Sequence, residues 1–254
     1  RKNGITQLGF TDHVPVSELE FQDDEQQMDI SEVDNYLESI HMLQSEYPDM
    51  TILSGFEVEY NPMKEQFLGE LRERVDYMIL GQHFVLDGID QVSKNNPNYP
   101  LEYANIVCQA MESGLFDIVA HPDIFMKFRD SIKTEEGKKI FLENAKEASR
   151  QICQKAKEMG IPLELNFGGI IIGKKLSDGE YAYPHSLFWE IAAEEKVPTL
   201  YGVDAHNANQ FDLMGNCKEK ADVIINPERL NIVSRDYNPV EARKRNPKLN
   251  EAYA

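Results

Sequence analysis

Cysteine is scarce in this 254-residue chain: Cys108, Cys153 and Cys217 stand far apart, odd in number and without a C-x-x-C pair. That pattern encodes neither a disulfide framework nor a structural zinc knuckle, and it points to a reducing, cytoplasmic setting. Long apolar runs are missing too. None approaches the ~20 residues that a bilayer span needs, and the opening Arg1-Lys2-Asn3-Gly4 lacks the apolar core of a signal peptide. Positive charge is short: 26 basic residues face 44 acidic ones, a formal net charge of -18. A field of that sign repels nucleic-acid phosphates and anionic lipid surfaces, which argues against nucleic acid and membrane as partners. A phosphorylated ligand would then need local positive charge, which bound divalent metals supply. A glycine-rich phosphate loop is also absent, because Gly168-Gly169 follows an apolar run but lacks the remaining positions of a dinucleotide or P-loop fingerprint.

What is present is an ordinary globular balance, 41% hydrophobic and 28% charged residues, so the chain is expected to fold around a sizeable core. Short apolar runs rich in β-branched and aromatic residues alternate with stretches of helical spacing, the pattern of repeated βα units and a parallel sheet. Strands are expected at 5–10, 51–56, 77–80, 117–120, 162–165 and 199–203, with a weaker one at 222–225. Helices are expected at 31–46 with Ser31 as cap, 101–113 ended by Gly114, 134–159 capped by Thr134 and closed by Gly160, and 185–195. The stretches 18–29 and 87–100 read as loops of the kind that cover active sites. A single α/β domain over 1–233, followed by an extended or frayed tail over 234–254 marked by Asn238-Pro239 and Asn246-Pro247, completes the expectation.

The informative feature is how the strands end. His13 closes the first run, Glu57 the second, His83 the third, His121 the fourth, Asn166 the fifth, and Asp204 with His206 the sixth. Four of the six histidines therefore follow strands, while His41 lies within a helix and His185 near a helix start. In a parallel barrel the C-terminal strand ends converge on one face. Four imidazoles and two carboxylates gathered there suit zinc, iron or manganese, whereas a Ser-His-Asp site would use only one of the histidines. Glu57 and Glu59 share a strand face, so spacing alone does not choose between them; either could bridge metals, and one could instead orient a ligand. Asp204-Ala205-His206 can reach two metals from one strand end. Lys127 and Arg129 follow His121 closely enough to contact an anion, and Lys174 and Lys175 are similar.

Taken in order, Thr11-Asp12-His13, Gly55-Phe56-Glu57-Val58-Glu59-Tyr60, Gly81-Gln82-His83-Phe84, Ala120-His121-Pro122-Asp123, Leu163-Glu164-Leu165-Asn166 and Gly202-Val203-Asp204-Ala205-His206 resemble the successive motifs of the polymerase and histidinol phosphatase (PHP) family, on its histidinol-phosphatase branch. The resemblance implies a distorted (β/α)7 TIM-like barrel with a trinuclear site. In it Glu57 bridges two metals, Asp204 serves the first, His83 and His121 the second, and His13 and His206 the third. Glu57, Asp204 and His206 then carry the catalysis, and Lys127, Arg129 and Asn166 hold the substrate. The implied reaction is hydrolysis of a small-molecule phosphomonoester, histidinol phosphate to histidinol and phosphate in histidine synthesis, through attack by a metal-bound hydroxide. The family's His-x-His pair does not occur in these 254 residues, so the first βα unit is expected to be missing from the chain. The alternatives are a PHP enzyme for a sugar phosphate, nucleotide or phosphotyrosine, and a non-catalytic metal-binding relative. A metal-dependent amidohydrolase ranks third, because no lysine ends a middle strand.

Overall fold

The structure, a computed structural model, describes residues 4–14, 28–87, 90–233 and 236–253. In chain order it runs β1 (Gln7–His13), α1 (Val33–Glu46), β2 (Thr51–Val58), α2 (Glu65–Arg72), β3 (Tyr77–Leu80), the pair β4 (Leu86–Asp87) and β5 (Asp90–Gln91), and α3 (Tyr99–Glu112). It continues with β6 (Ile118–Val119), α4 (Glu135–Met159), β7 (Leu163–Asn166), α5 (Gly168–Ile171), α6 (Ser186–Glu195), β8 (Pro198–Gly202), α7 (Met214–Ile224), β9 (Asn231–Ile232), α8 (Pro239–Lys244) and α9 (Pro247–Tyr253).

Seven strands form one parallel sheet in the order β1-β2-β3-β6-β7-β8-β9, while β4 and β5 make a separate antiparallel hairpin. Spatial order follows chain order, so each strand after the first is laid beside the one before it. Among the described residues β1 and β9 are edges and do not pair with each other. The result is an α/β half-barrel. β2 is buried along nearly its whole length, as a strand covered on both faces must be. Among the described residues no helix is long and apolar enough to cross a membrane.

The longest helix shows how sequence sets the layers. In α4 the Thr134 hydroxyl accepts a hydrogen bond from Gly137 N at 3.1 Å, and Gly160 ends the helix with φ 69°, a conformation glycine adopts without strain. Between them Phe141, Ala145, Ala148, Ile152, Ala156 and Met159 recur at helical spacing and are buried against α3 and α6. Each large side chain so buried contributes about 1.5–3 kcal/mol. The three cysteines are free, with Cys153 and Cys217 buried as small apolar groups.

Several local expectations change. Ser31 is not the cap of the first helix: the Asp29 carboxylate accepts from Ser31 N at 2.8 Å, and a short 3-10 turn precedes α1. The stretch 87–100 holds part of the β4-β5 hairpin and the start of α3, whereas 18–27 lies outside the described residues. The segment 222–225 is not a strand but the end of α7 and its C-cap, because Cys217, Ala221 and Ile225 are buried at i, i+4 and i+8 while Val223 is 88% exposed.

The tail is not extended. Asn238 caps α8, its side chain accepting from Glu241 N at 3.1 Å, and Pro239 and Pro247 open α8 and α9, where a missing N–H costs nothing. These helices staple the base of the sheet. Gln7 Nε2 donates to Tyr237 O at 2.6 Å, Asn246 Nδ2 to Met159 O at 2.7 Å, and Tyr253 OH to Gly69 O at 3.0 Å. Asp117 sits between Arg72 at 3.3 Å and Arg243 at 2.9 Å, a buried charge group at the N-terminal end of β6.

Candidate metal centre

Opposite that base, the C-terminal strand ends bring together Glu57, His83 and His121, whose ligand atoms lie within 4.8 Å of one another. Glu57 is in β2, His83 follows β3, and His121 follows β6, so three neighbouring strands each deliver one donor. His121 Nε2 is 3.0 Å from Glu57 Oε1, and His83 Nε2 is 3.9 Å from the same oxygen. The His83 and His121 rings stand 4.6 Å apart, and the His13 ring is 5.8 Å from His83 on the other side. Burial would raise the Glu57 pKa, but the hydrogen bond with His121 and the charges of His121, His83 and His13 outweigh it and bring it to about 2. The carboxylate is therefore ionised at neutral pH.

The two carboxylates that spacing left open separate in space. Glu59 Oε1 lies 2.6 Å from His83 Nδ1, and both Glu59 oxygens accept from His83 N at 3.0 Å. A carboxylate on Nδ1 holds the proton there and leaves the Nε2 lone pair, on the side of Glu57, free to bind a metal. Burial lowers the His83 pKa, but Glu59 and Glu57 raise it further than burial lowers it. Two imidazoles and an ionised carboxylate at this spacing are the donor chemistry that zinc, iron or manganese takes. Glu57 also packs closely behind the cluster: a β-carbon on Gly81 would fall 1.9 Å from Glu57 Oε1, so only glycine lets that carboxylate lie against the loop after β3.

Asp204 stands at the rim, joined to the cluster by a polar bridge. Asn166 Nδ2 reaches Glu164 Oε2 at 2.8 Å and Asp204 Oδ2 at 3.3 Å, and Glu164 Oε2 accepts from His121 N at 3.3 Å. His121 and Asp204 both have positive φ, 28° and 51°. For residues other than glycine that is strained backbone, and such strain collects at functional sites. His206 is not drawn in: its side chain is 64% exposed and Nδ1 lies 2.9 Å from Asp204 O.

The proposed substrate contacts fare differently from one another. Lys127 is half-buried, and burial with the charges of Lys94 and Lys174 pulls its pKa down to about 8 against the pull of Glu59. Arg129 is committed elsewhere, to Asp178 at 2.7 Å and Asp130 at 3.5 Å, because a carboxylate fork binds its guanidinium more closely than solvent does. Asn166 is likewise spent within the protein, its oxygen accepting from Gly168 N at 2.6 Å.

Sequence reasoning passed over Glu164, which is half-buried and lies two residues before Asn166 on the same strand face, a period-2 signal that could have marked it. Tyr183, whose ring meets His121 edge-on at 6.4 Å, carried no such signal. His185 is explained by its place: Nδ1 caps α6 by accepting from Leu187 N at 3.2 Å.

Half-barrel and donor cluster together define a hydrolase-type metal scaffold, and comparison with known proteins gives it a family. The model of the PHP domain matches residues 1–167, and the chain belongs to that family. Over 238 residues it is 26% identical to a Deinococcus radiodurans protein assigned as a histidinol-phosphatase, covering 87% of this chain and 83% of that one. Two solved structures share the fold. One, from Listeria monocytogenes and assigned as a histidinol phosphatase, has a TM-score of 0.66 at 21% identity over 82% of this chain and 87% of that one. The other, a Lactococcus lactis histidinol phosphate phosphatase with zinc, L-histidinol and phosphate, has a TM-score of 0.61 at 14% identity over 94% and 88%.

Proposed function

We propose that the chain is a metal-dependent phosphomonoesterase whose substrate is histidinol phosphate, cleaved to histidinol and inorganic phosphate. The observation that carries the reading is the Glu57-His83-His121 cluster, with Glu59 holding the tautomer of His83. Membership of the PHP family and the names borne by its relatives support the substrate.

In this reading Glu57, His83, His121, His13, Asp204 and His206 hold up to three divalent cations, zinc, iron or manganese. Bound there, they supply Lewis acidity toward the phosphoryl oxygens and an activated water. The remaining steps belong to the chain's own residues. Glu57, ionised at neutral pH, offers its oxygens as donors. Glu59 fixes His83, and the Asn166 bridge aims Asp204 from the rim. Lys127, beside His83, neutralises phosphate charge in a chain that otherwise repels anions. The exposed His206 imidazole is placed to close the donor set from the solvent side.

The test is phosphate release from histidinol phosphate by zinc- or manganese-loaded protein, with bound metal counted by elemental analysis. Turnover that chelation abolishes, and that Glu57→Gln and His121→Ala each lose together with metal, is the expected result. Metal-loaded protein that releases no phosphate from histidinol phosphate would overturn the substrate assignment.

A further inference from the structure

A glutamine amide carries both donors and an acceptor, and burying it is unfavourable unless they are paired. Gln82 is only 2% exposed and stands in the loop after β3, one residue before His83. Both ends of its amide are engaged. Oε1 accepts from Tyr60 N at 2.9 Å, and Nε2 donates to Phe84 O at 2.7 Å. One N–H on one side and one carbonyl on the other fix the orientation of the amide. Gln82 is not among the donors of the cluster, so the donor chemistry alone gives no reason for an amide at this position.

The register of the sheet supplies the reason. β2 and β3 pair in parallel with Val58 opposite Leu80, and the ladder runs on for one more bond, from Gly81 N to Val58 O at 3.0 Å. Continued, the parallel pattern would send Tyr60 N to the carbonyl of Gly81. The Gln82 side chain takes that bond instead, which lets the backbone after β3 turn over the cavity while the two loops stay joined. Its other end spans His83 to reach Phe84 O. Bonds at Val58 and Tyr60 therefore bracket Glu59, and bonds at Gly81 and Phe84 bracket His83. Within that frame Glu59 accepts from His83 N at 3.0 Å and lies 2.6 Å from His83 Nδ1.

We propose that Gln82 is a positioning residue of the metal centre: its side-chain amide extends the β2-β3 ladder beyond the last backbone bond, holds the His83 loop against the Glu59 loop, and thereby sets the affinity of the site for its cation. The inference rests on the metal-centre reading and adds to it a residue that binds no metal. Without the amide, His83 and Glu59 would meet only through their own contacts, and two mobile loops hold a donor less precisely than one braced pair.

Zinc affinity measured by competition with a chromophoric chelator tests the proposal, with melting temperature recorded on the same samples. Gln82→Met keeps the length of the side chain and removes both bonds; Gln82→Asn keeps an amide on a stem one methylene shorter, which cannot reach both partners, and is the milder variant should the first fold poorly. Each should bind zinc about tenfold more weakly, and the visible absorption of cobalt-substituted protein, which follows the geometry of its donors, should change with it. The control is Gln44→Met. Gln44 Nε2 donates to Ile52 O at 2.9 Å, the same kind of bond at the opposite end of β2 from Glu57, so this variant should lower the melting temperature and leave zinc affinity and the cobalt spectrum unchanged. Wild-type affinity and spectrum in a folded Gln82 variant, or an equal loss of affinity in Gln44→Met, overturns the positioning role. Wild-type protein that takes up no zinc overturns the metal centre and the role of Gln82 together. Zinc-loaded protein that releases no phosphate from histidinol phosphate counts against the substrate alone, and the affinities would still decide the role of Gln82.

Discussion

Replacing Glu164 by glutamine is a direct test of how the floor of the metal centre is built. Desolvation together with the charges of Asp204 and Glu57 raises the pKa of this half-buried residue from 4.5 to about 8, against the hydrogen bonds from Asn166 and His121 N. Below pH 4.5 the folded and unfolded chains both hold the proton. Between 4.5 and about 8 only the folded chain does, so the stability contributed by this group is complete below the lower value and is lost as pH rises through the higher one. A change in proton affinity of that size is worth up to about 5 kcal/mol, at about 1.4 kcal/mol for each tenfold step. Relaxation around the site lowers the expectation to about 2–5 kcal/mol. Glutamine has nearly the same volume and cannot titrate. Urea unfolding of chelated protein, followed through the single, fully buried Trp189, should therefore show wild type losing stability relative to Glu164→Gln between pH 5 and pH 8.5. A difference that stays constant across that window would mean that the carboxyl is already ionised in the fold, and the argument from burial fails.

Three other outcomes follow from the same geometry. Glu59→Gln removes the anion that holds His83 Nδ1 at 2.6 Å, and metal affinity measured by competition with a chromophoric chelator should fall about 10–100-fold; unchanged affinity would deny Glu59 its orienting role. Lys127 is charged below a pKa of about 8 and neutral above it, so KM for a phosphoester should climb past that pH, and Lys127→Arg, which keeps its charge, should flatten the profile. A methyl group on Gly202 would sit 1.6 Å from Glu164 Oε1, so Gly202→Ala should cost about 1–3 kcal/mol and lower the melting temperature by roughly 2–10 °C. An unshifted melt would show that the packing there is loose.

The strand ends were the most legible part of this protein. A strand that must be buried is spelled in apolar letters, so the first ionisable letter after it marks where the sheet meets the cavity, as at His83 and His121. The α4 boundaries were legible for a local reason as well, since Thr134 and Gly160 each solve a hydrogen-bonding problem of their own helix end. The choice between Glu57 and Glu59 was not legible. Both point the same way from the strand, and only the landing place of His83, a tertiary fact, gives one the cluster and the other the imidazole Nδ1. Arg129 was misjudged because its partner Asp178 lies 49 positions on, in a turn that no local pattern announces. The tail was misread because Asn-Pro serves equally as a chain breaker and as a helix start, and the bonds that decide between them come from the far side of the sheet.

Those bonds also bear on the order in which the molecule is assembled. Gln7 meets Tyr237 across 230 positions and Gly69 meets Tyr253 across 184, and contacts of such long separation close late during folding. Glu57, His83 and His121, by contrast, all lie within one span of the chain. A ribosome-bound nascent chain would thus have these three donors in hand before its floor is stapled. Cation supply during synthesis would then act on how much protein matures, as well as on how fast the finished molecule works.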